Sequence, residues 1–122
     1  MNSAARSVYY FGFYLLLISV ALTAYPNLLL STFMLPETNE VWIRVLGVIV
    51  FNIGILYIVM AQTNHTLFLT LTVYLRAAIL LWFTAFVLIG WAAPALIMFG
   101  VVDFAGSTWT YVELKKQKNS TP

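Results

Sequence analysis

Arg76 and Asp103 are full charges set inside otherwise apolar stretches, and they are the first candidates for chemistry in this chain. At 1.5 Å of rise per helical residue, Arg76 lies roughly 15 Å into its hydrophobic segment and Asp103 roughly 14 Å into the next. Those segments run in opposite directions, so the two charges are expected at similar depth. An isolated charge there costs about 2.5–3.5 kcal/mol on insertion scales. Facing each other, a guanidinium and a carboxylate form a charge-assisted hydrogen bond instead, and pairing is the expectation. Asn52 falls roughly 16 Å into its own segment, where its amide would join the pair. Gly100, Asp103, Ser107 and Thr110 recur at three- and four-residue spacing and share one helix face, a small polar stripe suited to packing on neighbours. Thr72 stands one turn before Arg76 on the same face. Two readings stay open for this cluster: an interior binding site or proton-sensitive switch, or an ion pair that sets helix register.

The remaining polar residues ask for less. Arg44 lies about one turn into its segment, where it reaches headgroups or Glu40 four residues earlier. With Trp109, these two are assigned to the membrane interface. His65 is the only histidine and stands beside no carboxylate, which makes a metal site or a catalytic role unexpected. Asn64-His65-Thr66 matches a glycosylation acceptor, but its expected cytoplasmic position empties the match. There is no cysteine, hence no disulfide, thiolate nucleophile or thiolate metal site. No nucleophile elbow, phosphate-cradling loop or paired carboxylates occur, so no catalytic residue, metal or cofactor is assigned.

The elements that must hold these residues follow from composition. Of 122 residues, 62% are hydrophobic and 8% charged, against about a quarter charged in soluble domains. Such a chain cannot cover itself with a water-facing surface, and the bilayer has to be its solvent. A crossing helix needs about 20 apolar residues, and four segments qualify, at about 8–25, 41–62, 66–89 and 94–112. Pro26 stops the first. Thr38 and Asn39 are candidate caps for the second, with Glu40 at its positive dipole end. Gly90 closes the third, and Pro94 opens the fourth. Short connections predict antiparallel neighbours. Segment 26–36 is too short to span and reads as a short interfacial helix, or else as a hydrophobic loop packed on the bundle. The polar tail 113–122 is expected to fray. Ser19-Val20-Ala21 resembles a signal-peptide cleavage site, but the apolar run continues past it and the preceding region carries one arginine, Arg6; a retained helix is the expectation. The fold class is therefore all-α: one integral membrane domain, an antiparallel four-helix bundle with a short interfacial segment between the first two crossings.

Four crossings put both termini on one side, together with Arg6, Lys115, Lys116 and Lys118. Lys and Arg near membrane ends mark the cytoplasmic face. Tyr9, Tyr10, Trp109 and Tyr111 would form one aromatic belt, and Tyr25, Trp42 and Trp91 the other. A formal charge of +2 gives no reason to invoke nucleic acid.

The run Ile97-Met98-Phe99-Gly100-Val101-Val102-Asp103-Phe104-Ala105-Gly106-Ser107-Thr108-Trp109-Thr110, with Tyr57, Ala61, Asn64, Phe68 and Arg76, resembles the BphX-like group of small bacterial four-helix membrane proteins, close to the DoxX-like proteins. Arg44 followed by Leu46-Gly47 fits their second-helix opening. The likeness covers roughly residues 8–114. It implies a four-helix bundle in a bacterial inner membrane with no established activity, and places Arg44, Asn64, Arg76, Asp103 and Trp109 at the group's polar signature positions. Gln62 departs from the pattern, standing where a basic residue is expected. Some DoxX-like proteins are associated with quinone-linked sulfur oxidation, but no residue here matches a redox motif and nothing is carried over. The expected activity is binding of a lipid or hydrophobic small molecule, or of a larger membrane partner or second copy, through the polar interior. A membrane enzyme or redox accessory acting on quinone or lipid is one rival. A proton-coupled carrier using Asp103 and Arg76 is another, although no internal repeat of the kind such carriers use is apparent.

Overall fold

The computed structural model describes residues 1–120, with side chains as far as Lys118. These residues form five helices and no strand: α1 (Ser3–Ala24), α2 (Pro26–Thr32), α3 (Trp42–Ala61), α4 (Thr66–Ile89) and α5 (Leu96–Ser120). Three of them, α1, α3 and α4, are long and apolar enough to cross a membrane.

The helix ends follow local chemistry. Asn2 caps α1, its Oδ1 accepting from the Ala5 amide at 2.8 Å, and so α1 begins before Val8. Pro26 occupies the first turn of α2, where its missing N–H costs nothing. Thr38 and Asn39 do not cap α3, whose cap is Val41 without a side-chain bond. Thr38 instead organises the preceding turn, its amide donating to Asn27 Oδ1 at 2.8 Å and its hydroxyl accepting from Glu40 at 3.1 Å. His65 caps α4 by accepting from the Phe68 amide at 3.3 Å. Gly90 closes α4 in the left-handed region, φ 93°, with the Trp91 amide donating to the Phe86 carbonyl at 2.9 Å. Pro94 stands just ahead of α5 rather than in its first turn. The polar stretch expected to fray continues α5 to Ser120; Thr121 and Pro122 lie outside the described residues.

Packing is built around α1, which lies against α3 on one side and α5 on another, while α4 packs on α5. Glycines set the closest approaches. A Cβ on Gly12 would stand 3.0 Å from the Gly54 carbonyl oxygen, and one on Gly47 would stand 2.9 Å from the Thr23 amide nitrogen. Arg44 secures the same seam, its guanidinium donating to the Thr23 carbonyl in the last turn of α1, where helix carbonyls lack intrahelical partners. Between α4 and α5 the register sets Gly100 beside Leu80 and Gly106 beside Arg76. By contrast α3 and α4, although joined by a short turn, do not pack backbone to backbone. Side chains bridge them instead, Tyr57 meeting Phe68 edge to face at 5.8 Å. The long helices therefore form an open arc in the order α3, α1, α5, α4.

The core sits at one end of this arc, formed by Ala4, Ala5, Val8, Phe11, Tyr57, Ala61 and Leu69. Asn64, at φ 54° in the α3–α4 turn, accepts from the Asn2 amide at 2.8 Å and joins that turn to the start of α1. Much of the remaining apolar surface faces outward, including Leu17, Val48, Ile49, Leu75, Leu81 and Leu88, an exposed area of the kind that marks contact with lipid or protein.

Candidate functional site

The interior polar cluster is organised by Arg76, whose side chain is 3% exposed. A helical side chain leans toward its own N-terminus, and Arg76 turns back on α4: Nε donates to the Thr72 carbonyl at 3.1 Å and Nη2 to Thr72 Oγ1 at 3.2 Å. Nη2 also reaches α5, donating to Thr110 Oγ1 at 2.7 Å. Thr110, fully buried, lies 2.6 Å from Ser7 Oγ of α1, and Ser7 donates to the Ala4 carbonyl at 2.7 Å. The two hydroxyls thus link the guanidinium to the backbone carbonyls of Ala4 and, at 3.2 Å from Thr110 Oγ1, of Gly106. The guanidinium lies over the Phe11 ring at 4.8 Å and near the Tyr57 ring at 5.8 Å, where ring quadrupoles attract a cation. One donor is left over: among the described residues Nη1 is buried without a hydrogen-bond partner.

Of the residues expected here, Arg76, Thr72, Thr110 and Ser107 are buried. Ser107 stays outside the guanidinium network, its hydroxyl donating to the Phe104 carbonyl at 2.8 Å. The expected pairing of Arg76 with Asp103 does not form as an ion pair. Among the described residues the salt bridge is Lys116–Glu113 at 3.8 Å. The cause is side-chain lean. Leu80 Cα lies against Gly100, so Arg76 leaves its helix about level with Asp103, but its guanidinium leans back to Gly106 and Thr110, whereas a side chain at Asp103 leans the opposite way, toward Gly100. Asp103 is half-buried. Equal depth was thus insufficient to bring the two charges into contact.

Asn52 does not join the cluster. Gly47, Gly54, Tyr57 and Ala61 form the buried stripe of α3, and Asn52 lies about 160° around the helix from Gly54, on the exposed side. Arg44, Glu40 and Trp109 are also exposed. The residues that sequence reasoning missed are Ser7, Phe11 and Tyr57. Ser7 was legible as a polar residue one turn before Phe11; the two aromatics carried no mark separating them from lipid-facing ones.

No family model, curated protein or solved structure matches this chain. Among the described residues no group of acidic, histidine or cysteine side chains is arranged to hold a metal ion.

Proposed function

We propose that this protein is an antiparallel four-helix bundle of a bacterial inner membrane that binds a lipid or hydrophobic small molecule at Arg76. α5 is its fourth crossing, and both termini are cytoplasmic. Support for the topology comes from the contacts themselves: Leu80 meets Gly100 while Arg76 meets Gly106, so the two helices are read in opposite senses. Tyr10, Trp109 and Tyr111 at one end, and Tyr25, Trp42 and Trp91 at the other, are all exposed, as interfacial belts require. The bacterial assignment rests on the likeness to BphX-like proteins.

The observation that carries the binding reading is the Nη1 donor of a buried arginine that, among the described residues, has neither a hydrogen-bond acceptor nor an ion-paired carboxylate. A buried donor left unsatisfied is costly, and an amphiphile bearing a carbonyl or carboxylate supplies the acceptor. Phe11 and Tyr57 would flank its head, and the side between α3 and α4, where side chains meet but backbones do not pack, would admit its tail from the bilayer. Native mass spectrometry in mild detergent tests this. The wild-type protein is expected to retain an oxygen-bearing amphiphile, and Arg76→Met to lose it while keeping its helicity. A wild-type protein without adduct, or an Arg76→Met variant that keeps the same one, would overturn the reading.

A further inference from the structure

The outward face of α3 carries a pattern that the fold does not use. Val45, Asn52 and Val59 recur every seven residues, Val48 and Ile55 fall between them, and Ile49 and Leu56 flank the stripe; every one of these is exposed. The stripe against α1 is a separate one, Gly47, Gly54, Tyr57 and Ala61. A strict seven-residue repeat is the geometry of two helices wound together, yet among the described residues this face stays exposed. Among the described residues no hydrogen bond engages the Asn52 side chain. A carboxamide facing acyl chains has no partner for its N–H or its C=O.

We propose that α3 is the interface of a parallel homodimer in which Asn52 of each copy hydrogen-bonds Asn52 of the other. The inference rests on the reading of α3 as a membrane span, and not on the ligand at Arg76. A second copy fits better than an unrelated partner for two reasons. Copies insert in the same orientation, so a two-fold axis along the membrane normal brings identical residues together at identical depth. Asn52 stands at the middle of Trp42–Ala61, and its amide, both donor and acceptor, complements itself. The flanking residues agree: β-branched valine at the positions equivalent to Asn52, with a single polar residue among them, is the arrangement that specifies register in two-stranded parallel coils. Gly47 and Gly54 stay committed to α1, so the dimer leaves the monomer fold intact.

The chain has no cysteine, which gives engineered thiols a clean background. Val48→Cys and Ile55→Cys lie on the seam; Leu46→Cys and Ile53→Cys are also exposed but point off it. Oxidation in native membranes is expected to link the first two as dimers and not the second two. Asn52→Val is expected to weaken association in lipid about three- to thirtyfold, the effect of losing one interhelical polar contact, measured by energy transfer on dilution into vesicles, with helicity unchanged. Equal linking at all four positions, no linking on the seam, an Asn52→Val variant that associates as well as wild type, or a different subunit found across this face would each overturn the dimer. An impermeant maleimide that labels all four thiols in intact membranes would overturn it too, by removing α3 from the bilayer. Loss of the amphiphile from Arg76→Met is scored independently and separates failure of this inference from failure of the binding reading.

Discussion

Thr110 holds the network together because its one hydroxyl meets three helices' worth of demand: it accepts from Arg76 of α4, sits on α5, and contacts Ser7 of α1. Thr110→Val keeps the volume but leaves Nη2 short of an acceptor and Ser7 short of a partner. It is expected to destabilise the protein by about 1–3 kcal/mol, the cost of stranding buried polar groups, whereas Thr110→Ser should stay near wild type; thermal unfolding in detergent separates the two. Arg76, Thr72 and Thr110 were legible in the sequence because a polar residue in an apolar helix has few places to go. Depth could be counted along the chain, but direction around the helix could not. Asn52, expected in the cluster, therefore lies on the opposite face of α3 from its buried stripe, and Asp103, expected to pair with Arg76, makes no ion pair with it among the described residues.

Helices in this protein are joined by two devices with different sensitivities. At Gly47 an added Cβ would run into Thr23 Oγ1 and stand 2.9 Å from the Thr23 amide nitrogen, and the backbone cannot give way without parting α1 from α3. Gly47→Ala is expected to cost about 1–3 kcal/mol through overpacking, read as a lower unfolding temperature. Gly90 has open space around it but requires φ 93°. There Gly90→Val should cost about 1–2 kcal/mol from the left-handed conformation, while Gly90→Asn, which tolerates that region, should cost less. The closing role of Gly90 was readable from its position after an apolar run. The contact role of Gly12 was not, since nothing in a sequence says which stripe of a uniformly apolar helix meets its neighbour. Thr38 and Asn39 failed as caps for a related reason: the turn from α2 had already engaged Thr38 through Asn27.

For the molecule as a whole, the existence of long apolar helices was the most legible feature: α1, α3 and α4 are long and apolar enough to cross a membrane, because an uninterrupted apolar run of about 20 residues is readable without knowing what it packs on. The open arc was not legible, since a short loop between α3 and α4 suggested neighbours in close contact. At one pole Asn2 contacts Asn64, and α5 ends near the start of α4, the two helices bordering a cleft of about 670 Å³ lined by Thr66, Tyr74, Tyr111, Lys115 and Lys118. The proposed topology gives a direct check. An impermeant maleimide is expected to label Thr63→Cys and Lys118→Cys only after the membrane is permeabilised, and Glu37→Cys in intact cells. Opposite accessibility for Thr63→Cys and Lys118→Cys would contradict the shared pole.

The partners of the buried guanidinium also come from distant parts of the chain, and a ribosome makes them in sequence. Phe11 and Tyr57 precede Arg76, and Thr72 lies one turn before it, so a nascent cation has a local acceptor and two aromatic faces already made. Thr110 is synthesised last, and until it is made neither α1 nor α4 has the hydroxyl through which Ser7 and Arg76 are joined.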